Sequence, residues 1–277
     1  MLSDQEVGQF RAFGFIVLKG CLSGEEVEGL QGAYDRTVVD APVYNYFGNN
    51  DSQVLTPCVQ ADDRFAALIE HPGVMEAMRD IYGTECLYVG SSDLWANRDD
   101  TPWHSDGRPG RRVVGVKTSI YLDEQDRDRG ALTVIPGSHH PAFCAAIFQA
   151  HGYWATATSR PRLRVDPRAI PGAFAIPTRP GDVVLWDTRL WHTAFKRKDG
   201  RPRRALFISY MPDPQDDLLA LSDLRATVEG ILSNPRAASL GERQPFVYSR
   251  EMMAKGGPAR EKMAGRLEAL GVERVRE

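Results

Sequence analysis

From Glu85 onward the chain is a succession of short β-like runs. Leu87, Val89 and Leu94-Trp95 open it, and Val113–Leu122, Ala131–Ile135, Val183–Trp186, His192–Phe195 and Arg203–Tyr210 follow. Turn-forming clusters separate them at Arg108-Pro109-Gly110, Pro136-Gly137, Arg179-Pro180-Gly181 and Asp199-Gly200. Helical signals flank the series. Ser3 with Glu6 and Ser23 with Glu26 read as capping boxes; the first helix ends near Gly14, and the second carries Val27, Leu30, Ala33 and Tyr34 at helical spacing. Phe15–Leu18 reads as a strand between them. A helical region from Asp62 to Tyr82 breaks near Pro72, and Leu218–Arg225 and Pro258–Leu270 read as C-terminal helices. Many short strands with helices at both ends point to a barrel or sandwich with helices packed on one side.

A chain of 277 residues is ample for such a core as one domain. Its 34 basic and 37 acidic residues leave a formal charge of −3, which predicts no general affinity for nucleic acid or anionic membrane. No apolar run approaches the roughly 18 residues of a membrane span. Met1–Glu6 lacks a signal-peptide start, so a cytoplasmic location is expected. Cys21, Cys58, Cys86 and Cys144 are far apart with no CxxC pair, which fits reduced thiols and excludes a zinc cluster of that type.

The chemistry-bearing stretch is Trp103-His104-Ser105-Asp106. On a strand, residues i and i+2 share a face, so His104 and Asp106 would present an imidazole and a carboxylate side by side. Much later, Gly181–Trp186 reads as a turn feeding a buried strand, and His192 follows it. Two histidines and one carboxylate form the facial metal site of non-heme Fe(II) oxygenases, with about three of six positions open. Arg203 and Arg204 follow at the start of an alternating strand, and a guanidinium grips a carboxylate in a planar bidentate pair. Adjacent strand residues face opposite ways, so only one of the two faces inward. Arg203 is preferred, because its register sends Leu206, Ile208 and Tyr210 to the other wall.

The ordered set of His104-Ser105-Asp106, Gly130–His139, Gly181–Val184, His192 and Arg203 resembles the phytanoyl-CoA dioxygenase family of Fe(II)- and 2-oxoglutarate-dependent oxygenases. The resemblance runs from about Val7 to Met211. It implies a mainly β, α+β fold with a double-stranded β-helix (jelly-roll, cupin-like) core. A single domain over 1–277 would then comprise a helical part over 1–84, a core over about 85–211 and a helical extension over 212–277. It also implies iron on His104, Asp106 and His192, with Arg203 on the distal carboxylate of 2-oxoglutarate and a position for O2. The implied reaction decarboxylates 2-oxoglutarate to succinate and CO2 while a small-molecule substrate is oxidised. Related halogenases replace the carboxylate ligand with a small residue, so Asp106 implies hydroxylation or desaturation. A non-oxidative metal hydrolase, or a binding protein without turnover, on the same barrel are the rival readings.

Further candidates lie on neighbouring strands. Lys117, Ser119 and Tyr121 alternate along a strand that touches 2-oxoglutarate in relatives, where a Trp often stands at the position of Ser119; a partly solvated polar face is the alternative. Asp93, Trp95 and Asn97 show matching alternation, with Asn97 facing cosubstrate or substrate. His139, in the Pro136–His139 turn, is structural by the same resemblance, and His140 is exposed. Tyr44, Asn45 and Tyr46 fall in the N-terminal loop region, where relatives often build part of the substrate mouth. The segment 138–180, with His151, Trp154, Arg160, Arg162, Arg164 and Arg168, is either an opposing lid or a solvated loop face. Neither the substrate nor the oligomeric state is written in these motifs.

Overall fold

The structure, a computed structural model, describes residues 1–40, 44–45, 53–107, 113–154, 162–164, 166–233 and 247–272. The chain opens with helix α1 (Asp4–Phe13), strand β1 (Phe15–Leu18) and helix α2 (Gly24–Asp40). Both capping boxes form: Ser3 N donates to Glu6 at 2.8 Å and Ser23 N to Glu26 at 2.7 Å, while each serine Oγ accepts from the glutamate N–H. Short strands β2 (Tyr44–Asn45) and β3 (Gln53–Leu55) precede helices α3 (Asp63–Ala67) and α4 (Pro72–Tyr82). Pro72 sits at the first turn of α4, where its missing N–H costs nothing.

The β region follows as β4 (Cys86–Asn97), β5 (Val116–Tyr121) and β6 (Leu132–Val134). After helix α5 (Pro141–His151) come β7 (Tyr153–Trp154), β8 (Arg162–Leu163), β9 (Phe174–Ala175), β10 (Val183–Asp187), β11 (His192–Ala194) and β12 (Arg203–Pro212). Helices α6 (Leu218–Leu232), α7 (Arg250–Ala254) and α8 (Pro258–Ala269) end the chain. The major sheet has seven strands in the order β1-β10-β5-β12-β4-β3-β2, so three strands from before residue 85 join it. The minor sheet is β11-β6-β9. Among the described residues every strand pairing is antiparallel, and from β1 to β4 across the major sheet the neighbours in space are distant in sequence, as in a jelly roll, while β2 and β3 add to its edge in chain order.

Side-chain alternation divides the major sheet into two faces. Leu94, Val116, Ile120, Val183, Leu185, Leu206 and Ile208 face outward, into the large core shared with α2, α4, α6 and α8. Tyr121, Val184, Trp186 and Ala205 face inward and meet Leu132 and Val134 of the minor sheet. Helices α2, α4, α6 and α8 therefore cover one side of the sheet, and the other side faces the minor sheet.

Candidate metal centre

His104 is not part of a continuous strand. Isolated bridges to His192 and Arg162 hold it, the first a two-way pair with His104 N donating to His192 O at 3.0 Å and His192 N to His104 O at 2.9 Å. The expectation of a strand carrying both His104 and Asp106 gives way here to one bridged residue followed by a bend. Backbone bonds from Thr101 to Ala194 and from Gly107 to Thr188 flank the bridge and fix the loop against β11 and the turn before it. The two imidazoles are thus direct cross-strand neighbours, with ring centroids 4.2 Å apart.

Each imidazole has its Nδ1 against the carbonyl two residues earlier. His104 Nδ1 lies 2.8 Å from Pro102 O, and His192 Nδ1 lies 2.9 Å from Leu190 O. A carbonyl only accepts, so Nδ1 carries a proton in both rings, and in the neutral imidazole Nε2 is then the atom with the lone pair. This is the backbone arrangement that orients metal-ligating histidines. Asp106 Oδ1 lies 3.7 Å from His104 Nε2. One ligand atom each from His104, Asp106 and His192 falls within 4.8 Å of the others, the one such grouping among the described residues. Neutral nitrogens and one carboxylate are a donor set that fits Fe(II).

The wall beside them is buried, which removes the reading of β5 as a solvated face: Lys117, Ser119 and Tyr121 are 8%, 0% and 1% exposed. The Lys117 ammonium donates to Asp106 Oδ2 at 3.0 Å and stands 3.6 Å from Asp93. Ser119 Oγ accepts from Trp186 Nε1 at 2.8 Å, and the Trp186 ring packs 4.3 Å from that of His192. An indole therefore stands over Ser119 after all, contributed by the adjacent strand. The chain-order motifs did not show this contact, because it depends on the pairing of β10 with β5.

The two arginines separate cleanly. Arg204 lies outside, where it pairs through two nitrogens with Asp123 at 2.7 and 3.0 Å and reaches Asp35 at 3.0 Å. Arg203 is 4% exposed and opposite Asn97 across the β12–β4 ladder. Its Nη1 donates to the carbonyls of Gly130 and Phe195 at 3.3 and 3.2 Å, and no described carboxylate lies within ion-pair distance. Burial pulls its guanidinium below the ordinary value, with Tyr121 and Asp100 opposing; the charge nonetheless persists, since arginine does not deprotonate in proteins. A buried guanidinium lacking an acid partner fits a cosubstrate carboxylate. Gly130 makes room for it: φ is +82°, and a Cβ there would stand 3.0 Å from Phe195 O and 3.3 Å from Arg203 Nη1.

Asn97 is buried and accepts from Asp99 N through Oδ1 at 2.7 Å. His139 Nε2 lies against Arg11 O at 3.0 Å, at the end of α1 and away from the centre. His151 is half-buried at the end of α5. Arg162 forms a backbone bridge with His104, so the 138–180 segment is tied to the site. Arg164 is exposed, and Arg168 pairs with Asp100 at 2.9 Å and stacks on Phe195. Tyr46 and Arg160, and the side chains of Tyr44, Asn45 and Trp154, lie outside the described residues.

The sequence matches the phytanoyl-CoA dioxygenase (PhyH) family over residues 10–205, and the chain belongs to that family. The ectoine dioxygenase of Bordetella bronchiseptica is 23% identical over 234 residues, covering 76% of this chain and 75% of its own. The α-ketoglutarate-dependent carbocyclase SnoK of nogalamycin biosynthesis superimposes with a TM-score of 0.60 at 22% identity, over 76% of this chain and 85% of its own. The epimerase SnoN, solved with Fe3+, α-ketoglutarate and nogalamycin RO, gives 0.59 at 17% identity, over 76% of this chain and 83% of its own. These likenesses establish the jelly-roll core, and family and relatives together support a dioxygenase. Among the described residues no helix is long and apolar enough to cross a membrane.

Proposed function

We propose that this protein is an Fe(II)- and 2-oxoglutarate-dependent dioxygenase that hydroxylates or desaturates a small molecule, releasing succinate and CO2. The convergence of His104, Asp106 and His192, with both Nδ1 atoms already committed to carbonyls, carries the reading. His104 and His192 offer Nε2 to the metal, and Asp106 offers Oδ1. Bound Fe(II) supplies the dioxygen activation that couples oxidative decarboxylation of the cosubstrate to oxidation of a substrate C–H bond.

The protein's own residues position and insulate. Arg203 grips the distal carboxylate of 2-oxoglutarate and so orients its keto acid end toward the histidines. Trp186, Val184, Leu132 and Val134 form an apolar wall that excludes water from the reacting atoms. Molecules named with the relatives, ectoine and nogalamycin RO, indicate the range of substrate size expected here.

Anaerobic addition of Fe(II) and then 2-oxoglutarate tests the reading. A visible metal-to-ligand band is expected, followed by succinate formation when oxygen is admitted. Folded, iron-loaded protein without the band, or zinc-supported turnover without oxygen, would overturn it.

A further inference from the structure

A cation buried beside a metal site is unfavourable unless its charge is used. Lys117 Nζ donates to Asp106 Oδ2 at 3.0 Å, while Oδ1 is the oxygen turned toward His104 Nε2. Asp93 stands behind the ammonium at 3.6 Å, and the rings of Trp186 and Phe207 bracket it at 5.7 and 5.4 Å. Acid and aromatic faces thus hold the lysine tip on one oxygen of one carboxylate. We infer that Lys117 is a positioning residue that restricts Asp106 to one-oxygen coordination of the metal.

The inference rests on the iron reading above. A carboxylate free at both oxygens can chelate a divalent ion through both. On a facial site with about three open positions, that second oxygen removes one. A bidentate cosubstrate needs two and dioxygen needs the third. Lys117 keeps Oδ2 occupied, and its charge also opposes metal binding by direct repulsion. Loss of the ammonium therefore has effects of opposite sign: the metal binds more tightly, and the cosubstrate, now competing with Oδ2, binds more weakly. General damage to the site would weaken both.

Co(II) is titrated into metal-free wild type, K117M, K117R and D93N, followed by tryptophan quenching and by the Co(II) d–d absorption; 2-oxoglutarate is then titrated into each Co(II) form. In K117M we expect Co(II) affinity to rise about threefold to tenfold, the d–d spectrum to change before cosubstrate is added, and 2-oxoglutarate affinity to fall about tenfold. K117R, which restores cation and donor, returns both toward wild type. D93N leaves the lysine donor on Asp106 and removes a nearby negative charge, so its d–d spectrum stays that of wild type, Co(II) affinity falls about twofold to threefold and 2-oxoglutarate affinity does not fall; a D93N spectrum changed as in K117M would overturn the inference, which keeps the test alive if K117M does not fold. Joint weakening of Co(II) and cosubstrate, or no shift in either, overturns the inference alone. Wild type that binds no Co(II) overturns the iron reading and this inference with it.

Discussion

Two pairs of histidines in this protein bring their rings together at nearly the same distance, 4.2 Å for His104–His192 and 4.0 Å for His139–His140. Only the first is a metal-site candidate, and the difference lies in which nitrogen the backbone takes. His104 and His192 give Nδ1 to carbonyls of their own chain segment two residues back, which leaves both Nε2 atoms converging with a carboxylate. His139 and His140 give Nε2 to Arg11 O and Ala12 O instead. Those carbonyls lie in the last turn of α1, where helix C=O groups lack intrahelical donors, so this pair ties the end of a helix to the turn after β6. Proximity of imidazoles is therefore uninformative by itself; the state of the second nitrogen decides the role.

The comparison breaks most visibly if the ligands are removed. His104→Ala, Asp106→Ala and His192→Ala should each abolish turnover and lower Fe(II) affinity by more than the roughly 10–100-fold that loss of an outer partner costs. Far-UV circular dichroism should stay unchanged. His140→Ala, half the other pair, should leave Fe(II) affinity intact, and a loss there would erase the distinction.

Whether a polar group is already partnered also separates Arg203 from Arg204. Arg203→Ala should weaken 2-oxoglutarate binding by about 2–5 kcal/mol, the cost of stripping a buried charge from its partner. Arg204→Ala removes a partly exposed pair with Asp123 and Asp35, so it should cost about 1 kcal/mol of stability at most and leave cosubstrate affinity within about threefold. Equilibrium dialysis of the Fe(II) forms under nitrogen measures both. The outward face supplies the converse: Leu206→Ala should cost about 2–5 kcal/mol in urea denaturation while Fe(II) affinity holds.

Much of this architecture is legible along the chain, for a local reason. Strands such as Val183–Asp187 alternate between two buried surfaces, so Val183 and Leu185 against Val184 and Trp186 declare two faces without any partner being known. Capping boxes are legible because both halves lie within four residues. The Arg203 register is legible because one inward residue fixes every second one. What escapes is what barrel closure creates. Lys117 meets Asp106 and Trp186 meets Ser119 only after strands distant in sequence pair. His104 sits between two isolated bridges, to His192 and Arg162, which leave no periodicity to read. Helix α5, inside the 138–180 segment, escapes as well: Pro141 lies in its first turn and Gly152 at its end, but its apolar residues do not mark one face.

The smallest expected effect returns to the structural histidine pair and concerns pH. His139 is buried with Nδ1 facing Gly14, where φ is +83° and even a Cβ would approach to 2.6 Å. Burial lowers its pKa from the usual imidazole value, with the carbonyl of Arg11 opposing, because a second N–H there has no acceptor. A depressed histidine pKa means that the unfolded chain binds the proton more readily than the folded one. The stability from neutral His139 is therefore complete above about pH 6.5 and drains away as pH falls through the lowered native value. His139→Gln loses the ring and one hydrogen bond, about 1 kcal/mol, or about 2–4 °C in Tm at pH 7.5. Its Tm should then fall less steeply than wild type between pH 7 and pH 5 when both are measured by calorimetry without metal. Parallel slopes would show that the proton reaches His139 as easily in the folded protein as in the unfolded chain, and the division between the two histidine pairs would then rest on the carboxylate alone.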